Sequence, residues 1–413
     1  MTQWTPQWQV TINGTAYTNL TVANMTITSG RQDIYSQPYA GYCNVEIINL
    51  DQSPITMDIN NQIVIKVKDS SGTFVNLFGG YVTDIDVEVT KASATTISES
   101  IKVIALGALS KLPKTLTNGV LAKDFDGNQI YTILSQALFN SWSEVPAATT
   151  WATYTATTTW ATAENNGLGE VDRPGDYELA ARASATTDIY SLVSGLATSG
   201  LGYLYEDASG RIGYADSTHR VEYLSANGYV DLTGHHALAR GVKTQKRSGD
   251  VRNNVTITYK DGAQQSASSA ASIATYGEQA YNIQTSLHNL TDAQAQAQFY
   301  LSLRAYPEAQ FKSITFPISN PEIDNGDRDS LLNVFMGMPL NIVELPANIT
   351  GGTFQGFVEG WTFSAGYNSL YLTLTVSPTA YSLQAMRWNG VPVTEKWNTL
   401  NTGLEWIDAT IVA

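Results

Sequence analysis

The stretch Phe78-Gly-Gly-Tyr-Val-Thr-Asp-Ile-Asp-Val-Glu-Val89 recurs near the other end of the chain as Phe354-Gln-Gly-Phe-Val-Glu-Gly-Trp-Thr-Phe363. Aligned without gaps, the matched pairs are Phe78 with Phe354, Gly80 with Gly356, Tyr81 with Phe357, Val82 with Val358, Ile85 with Trp361, and Val87 with Phe363. Every residue in these pairs is apolar, aromatic or glycine. The two stretches therefore indicate an internal repeat, although two unrelated antiparallel β-domains would share alternation of this kind.

The sequence around the two stretches matches as well. Alternating apolar runs precede them, at Ile63-Val-Ile-Lys-Val67 and Leu340-Asn-Ile-Val-Glu-Leu345, and further runs follow, at Ile101-Lys-Val-Ile-Ala105 and Leu370-Tyr-Leu-Thr-Leu-Thr-Val376. Period-two alternation is typical of strands with one buried face, and a glycine inside a strand indicates a bend or a barrel corner. The sequence therefore predicts two copies of one small β-barrel or sandwich.

The remaining pattern predicts an α+β, predominantly β chain in which two related β-barrel domains flank an α+β middle domain. Helical spacing is expected at residues 126–139, 177–185, 189–199 and 291–306, and a hairpin at residues 202–214. The Ser, Ala and Gln-rich segment 264–274 is interpreted as a mobile loop. The predicted domains are residues 1–112 (first barrel), 113–240 (middle domain), 241–385 (second barrel, with a helical insertion near 265–310) and 386–413 (C-terminal arm).

The composition and charge of the chain disfavour several classes of function. The chain carries 37 acidic and 23 basic side chains, a formal net charge of −14, which disfavours binding to nucleic-acid phosphates and also keeps a protein soluble. Cys43 is the only cysteine, so no internal disulfide and no cysteine-based metal site is expected. The start has no basic region followed by an apolar one, and no apolar run reaches the length of a membrane span. We therefore expect a protein made in a cytoplasm without membrane insertion.

No catalytic residue and no cofactor-binding motif is predicted, because no nucleophile elbow, phosphate loop, zinc-protease motif or dinucleotide fingerprint occurs. The adjacent His235 and His236 would point to opposite faces of a strand, which disfavours a shared metal. The clusters 124–128 and 324–329 resemble fragments of calcium loops but lack the full pattern with its closing Glu. We interpret both as solvated turns, with calcium binding as the alternative. A pair of carboxylates for glycoside cleavage cannot be chosen by sequence.

Three phrases carry a resemblance to a known family: residues 29–49, the tract from Thr149 to Trp160 with the following residues 166–177, and the closing residues 397–406. They resemble minor tail proteins of long-tailed double-stranded DNA bacteriophages, particularly those of actinobacteria. The order of barrel, α+β insert and barrel also resembles the baseplate hub of phage tails. In that family two tube-like barrels per subunit form a trimeric ring of six similar units.

The resemblance implies a homotrimer at the distal end of a virion tail, made in the host cytoplasm and contacting the tail tube and the tip or fibre proteins. The expected interfaces are the loop 28–41 and the residues Phe78, Gly80, Tyr81, Phe354, Gly356, Phe357, Trp397 and Trp406. DNA would pass through the ring without specific binding, past lumen-facing carboxylates of Asp84, Asp86, Glu88 and Glu359. A solvated strand face is the plainer interpretation of these acidic residues.

An alternative function is binding or depolymerising carbohydrate on the host envelope. Aromatic rings stack on sugars, and Trp151, Tyr154 and Trp160 would form such a platform. Aromatic residues in β-domains are more often core residues, so exposure of these rings decides between the two interpretations.

Overall fold

The computed structural model describes residues 4–34, 36–49, 53–92, 97–141, 168–237, 242–308, 310–348 and 350–382. The strands are β1 Trp8–Ile12, β2 Thr15–Tyr17, β3 Leu20–Gly30, β4 Tyr42–Asn49, β5 Gln62–Lys68, β6 Phe74–Ala92, β7 Ile97–Leu106, β8 Leu116–Thr117, β9 Asp124–Phe125, β10 Leu168–Val171, β11 Glu178–Leu179, β12 Thr187–Asp188, β13 Tyr203–Glu206, β14 Ile212–Ala215, β15 Val230–Thr233, β16 Lys243–Gln245, β17 Asn254–Tyr259, β18 Ala263–Ser268, β19 Ala280–Gln284, β20 Gln310–Phe316, β21 Pro339–Val343, β22 Phe354–Gly366 and β23 Ser369–Pro378. The helices are α1 Asp126–Ser141, α2 Ile189–Ser199, α3 His219–Asn227, α4 Ala270–Tyr276, α5 Leu290–Arg304 and α6 Asn325–Leu332.

Two groups of five strands have the same topology. The first repeat, defined as β3 to β7, has the sheet order β3-β4-β7-β6-β5. The second repeat, defined as β16 and β20 to β23, has the order β16-β20-β23-β22-β21. Every neighbouring pair within each repeat is antiparallel. The internal repeat read from the sequence is therefore present in the order and direction of the strands.

The repeats also share local detail at the glycines that the sequence alignment matched. Gly80 pairs with Ile63 of β5, and Gly356 pairs with Leu340 of β21. A Cβ atom at Gly80 would lie 2.4 Å from the Leu106 carbonyl oxygen, and one at Gly356 would lie 2.3 Å from the Ser377 carbonyl oxygen. Both glycines thus allow the following strand to cross very close to the backbone.

The two repeats belong to one 13-stranded sheet, because β22 of the second repeat pairs with β3 of the first. One apolar core contains buried residues of both repeats, such as Val45, Val103, Ile314 and Leu374. No closed barrel occurs among the described strands, so two separate barrels are replaced by one open sheet. The edge strands that would close each repeat are paired elsewhere, since β3 pairs with β22, β5 with β1, and β21 with β15.

The second core combines residues from two regions that the predicted domains separate. It includes Ile130 of α1 and Val193 of α2, but also Val255 of β17 and Ala297 of α5. Val255 and Ala297 therefore pack against residues of the predicted middle domain, and Ala297 lies in the segment near 265–310 that was predicted as a helical insertion of the second barrel. The segment 264–274 forms β18 and part of α4, where a mobile loop was expected.

The predicted helices are confirmed at α1, α2 and α5, and the predicted hairpin is confirmed as β13 and β14. The helix expected at 177–185 is wrong, since Glu178–Leu179 is a short strand paired with β9. In the part of the chain that the structure describes, no helix is long and apolar enough to cross a membrane.

Candidate functional site

The junction between the repeats is formed by β22, which changes its pairing partner along its length. Residues 354–357 pair with β21 of the same repeat, whereas residues 360–365 pair with β3 of the other repeat. The change occurs at Glu359, which is an extra, bulged residue in the pairing between β22 and β23. A bulge bends a strand and redirects a side chain, and here it carries β22 across the boundary between the repeats.

The carboxylate of Glu359 is held by two arginines from distant parts of the chain. Arg31, which directly follows β3, donates from Nε to Oε2 at 2.7 Å. Arg220 of α3 donates from its two terminal nitrogens to Oε1 at 2.9 Å and to Oε2 at 3.0 Å. The Ser377 hydroxyl also donates to this carboxylate. Arg31, Glu359 and Arg220 therefore tie the first repeat, the second repeat and α3 together.

This ion-pair cluster lies inside the protein, with Glu359 only 1% exposed. Burial alone would raise the pKa of Glu359, but the neighbouring Arg220 and Arg31 guanidinium groups outweigh it and lower the pKa to about 2. The guanidinium of Arg220 also lies 4.7 Å from the centre of the Tyr203 ring. The carboxylate is consequently ionised and closed off from solvent at ordinary pH. Glu359 therefore does not line an open bore, which corrects its assignment as a lumen-facing residue.

The other three acidic candidates lie on the outer half of β6, defined here as Asp84–Val89. Asp84, Asp86 and Glu88 are all exposed. Glu88 lies 3.7 Å from the Lys102 ammonium group, and both of these side chains are largely in solvent. The structure thus places an accessible acidic strip on β6, while the face that this strip presents in an assembly stays a prediction.

The predicted interface residues of the two matched stretches are mainly core residues. Phe78 is 3% exposed, Phe354 is 4% exposed and Phe357 is fully buried. Gly80 and Gly356 are buried against the neighbouring strands, and Tyr81 is half-buried beneath the Lys111 ammonium group, 3.4 Å from its ring centre. In the described chain these side chains pack internally. Trp397 and Trp406, and the aromatic residues Trp151, Tyr154 and Trp160, lie outside the described residues.

The acidic clusters considered as calcium loops have structural roles in the fold. Asp324 caps α6 by accepting from the Asp327 backbone N–H at 2.8 Å. Asp327 lies 2.7 Å from Nδ1 of His236, and His236, Asp324 and Asp327 place one ligand atom each within 4.8 Å of one another. In the other cluster, Asp126 is fully buried and accepts a hydrogen bond from the Tyr177 backbone N–H. Asp324 is exposed at the start of α6, which agrees with a solvated position, whereas Asp126 is buried and does not lie in a solvated turn.

A buried polar pair in the region between the repeats was missed by the sequence reading. Nδ1 of His219 lies 2.8 Å from Oδ2 of Asp172, and each residue is only 2% exposed. Nearby, burial and the charge of Asp172 raise the pKa of Glu170 to about 8. A substrate cannot reach a pair enclosed to this degree, so we interpret it as an internal support for α3. No sequence motif marks these residues, because Asp172 and His219 meet only through the fold.

No protein-family model matches this chain, and no curated protein matches it in sequence. Among solved structures, the chain is similar to the tail protein from Neisseria meningitidis MC58, with a TM-score of 0.58, 11% identity, and coverage of 92% of this chain and 98% of that chain. It is also similar to the 43 kDa tail protein of prophage MuSo2 from Shewanella oneidensis, with a TM-score of 0.54, 11% identity, and coverage of 91% and 98%. At this identity the likeness shows a shared fold that extends over nearly the whole of each chain. Neither structure supports the narrower resemblance to phages of actinobacteria.

Proposed function

We propose that this chain is a structural hub, or minor tail protein, of a bacteriophage tail, acting through assembly rather than catalysis. The observation that carries the proposal is the presence of two repeats with the same strand order, joined edge to edge in one sheet. The fold shared with two tail proteins, over more than nine-tenths of this chain in each case, supports the assignment to a tail.

The repeat gives the proposed hub its symmetry. A tail tube with six-fold symmetry can be matched by three chains if each chain contributes two similar units. The junction of β22 with β3 joins two such units through strand edges. In the proposed trimer, the same kind of contact between chains would complete a ring of six units. A closed, tube-like sheet would then be formed by the six units together, around their shared opening, rather than by each repeat alone.

Passage of DNA is the proposed use of the acidic surface. With a net charge of −14, a ring of these chains would repel phosphates rather than bind them. Asp84, Asp86 and Glu88 are the exposed carboxylates that we propose for the lining of the opening. The ring would sit at the distal end of the tail, between the tail tube and the tip or fibre proteins.

The proposal is tested by measuring the mass of the purified chain by light scattering during size exclusion, and by imaging it in negative stain. We expect a mass of three chains and class averages with three-fold symmetry, six peripheral lobes and a central opening. A mixture with purified tail tubes covers the case in which the ring forms only on the tube. A chain that stays monomeric alone and adds no density to tube ends would overturn the proposal.

A further inference from the structure

Among the described strands, the outer half of β6 has one edge without a pairing partner. Its inner half, up to Tyr81, pairs with β5, and Val82 exchanges backbone hydrogen bonds with Asn60 and Asn61. From Asp84 onward, β7 is its only pairing partner among the described strands. Unpaired edges are sites where another strand can add, and charged side chains along an edge limit that pairing to a suitable partner.

The second repeat shows what fills this edge. Gly337 and Met338 exchange hydrogen bonds with Val358 in the same way that Asn60 and Asn61 do with Val82. Beyond the bulge, residues 360–365 of β22 then pair antiparallel with β3, with Phe363 opposite Ile27. Since Phe363 matches Val87 in the aligned stretches, the outer half of β6 is the counterpart of a strand segment that is paired.

The counterpart of β3 in the second repeat is β16. Residues that pair across neighbouring strands can be followed from β6 to β3 and from β22 to β16. In the first repeat the successive partners are Val82, Ala105, Cys43 and Ile27. In the second repeat, starting from the matched Val358, they are Val358, Val376, Phe311 and Thr244. Thr244 of β16 thus corresponds to Ile27 of β3. Within the described chain β16 pairs only with β20, so its other edge is unused as well.

We infer that the outer half of β6 pairs antiparallel with β16 of a neighbouring copy of this chain, repeating between chains the junction that β22 and β3 form within one. The inference rests on the proposed ring and names its contact. The partner is a second copy because, among the described strands, one chain carries one unused edge of each kind. A contact between different surfaces of identical chains forms a ring when the rotation between neighbours closes, and a one-third turn between copies gives the proposed trimer.

The inferred register brings opposite charges together. With Val87 opposite Thr244, antiparallel pairing places Asp84 opposite Arg247. Arg247 is exposed, and its backbone is extended, with φ −127° and ψ 139°, so pairing can continue past the end of β16. Opposite charges directly across antiparallel strands stabilise pairing, and these positions lie on the exposed face of the sheet.

Exposed apolar side chains support the same contact. Val87 is 64% exposed and Val89 is 57% exposed, whereas their counterparts Phe363 and Ala365 at the β22–β3 junction are 1% and 6% exposed. The strand that would cover Val87 and Val89 is supplied in the second repeat by β3. Pairing with β16 would bring Val242 and Thr244 next to these two valines.

A disulfide cross-link tests the register directly, and Cys43 does not interfere because it is buried. The variant Val87→Cys with Thr244→Cys should form covalent dimers and trimers under mild oxidation, seen on a non-reducing gel. The matched control is Asp86→Cys with Thr244→Cys, whose side chains lie on opposite faces of the paired strands and should not cross-link. Equal cross-linking of the two variants, or none in either, would overturn the register.

Charge reversal tests the same contact without cysteines. Asp84→Arg and Arg247→Asp should each reduce the trimer fraction at least tenfold, and the double variant should restore it. Thermal unfolding of each variant checks that the exposed substitutions leave the fold intact. If the wild-type chain forms the ring but none of these variants changes it, the inferred contact is overturned and the proposed function stands. If the cysteine pair cross-links in a chain that forms no ring, the contact stands and the proposed function falls.

Discussion

Thr83 and Glu359 are the bulged residues at the same position of the two repeats, yet only Glu359 forms buried ion pairs. In each repeat the pairing skips one residue at this point, between Val82 and Asp84 and between Val358 and Gly360. The Thr83 hydroxyl donates to the Ile104 carbonyl oxygen at 3.1 Å, whereas Glu359 binds two arginines. The junction within the chain is therefore held by buried ion pairs at its bulge, and the bulge of β6 carries no counterpart of Glu359.

The first prediction concerns the ion-pair cluster of Arg31, Glu359 and Arg220. Arg220→Met removes the bidentate partner of Glu359 and leaves its buried carboxylate with Arg31 and Ser377. Breaking a buried pair by removing one partner costs about 3–5 kcal/mol, and we expect a loss of this size in the free energy of unfolding in urea. The matched control is Lys102→Met at the exposed pair with Glu88, where we expect a change below about 1 kcal/mol. Equal effects of the two substitutions would contradict the role of the cluster.

The second prediction is a pH dependence. The pKa of Glu359 falls from its ordinary value of 4.5 to about 2 on folding, so the unfolded chain takes up the proton first as the pH drops. The contribution of Glu359 is therefore complete above pH 4.5 and is lost between pH 4.5 and 2. The fall of the pKa from 4.5 to about 2 corresponds to a contribution of about 3 kcal/mol to the free energy of unfolding.

The measurement is urea unfolding of the wild type and Glu359→Gln at several pH values. The difference in unfolding free energy between the two proteins should shrink as the pH is lowered through this range. Taking the difference between the two proteins cancels the effect of groups whose pKa shifts in the opposite direction on folding. Glu206 is such a group, since burial raises its pKa to about 7. A difference that stays constant from pH 6 to pH 2.5 would show that Glu359 is not held as an ion pair.

The burial of Glu359 and its ion pairs could not be predicted from the sequence. Alternation along a strand assigns faces correctly only while the pairing is regular, and the bulge at Glu359 breaks the period. Its partners Arg31 and Arg220 lie far away in the chain, so no local pattern relates them. The repeat itself could be predicted, because apolar alternation and glycine position are local. Pairing of β22 with β3 joins distant segments, so a closed barrel was predicted where the sheet is open.

Local helical preference also explains which of the predicted helices are present. Helix α2 has an N-cap, Asp188, that accepts from the Ser191 backbone N–H, and its apolar positions are regularly spaced. Residues 177–185 have similar apolar content, but Glu178–Leu179 pairs with β9, and tertiary pairing overrides helical propensity there.

The third prediction concerns the matched glycines. Gly80→Ala and Gly356→Ala each place a methyl group against a neighbouring carbonyl oxygen, so we expect each to destabilise the chain by about 1–3 kcal/mol. The control is Gly195→Ala, an exposed position of α2 with no other atom near the added methyl group. There the substitution should stabilise the protein by up to about 1 kcal/mol, because alanine favours the helix. Thermal unfolding measures the three variants, and a change in unfolding temperature of the same sign at all three positions would contradict this account.

The fourth prediction separates core residues from contact residues. Phe357 is fully buried beside Leu224 and Val221, so Phe357→Ala should cost about 3–5 kcal/mol of folding stability. Val87 is largely exposed in the single chain, so Val87→Ala should change its unfolding free energy by less than about 0.5 kcal/mol while weakening trimer formation. Unfolding in urea and the mass during size exclusion, measured on both variants, give the comparison. If Phe357→Ala left folding stability unchanged and lowered only the trimer fraction, the matched stretch would be an interface after all, because a core phenylalanine cannot be truncated without cost.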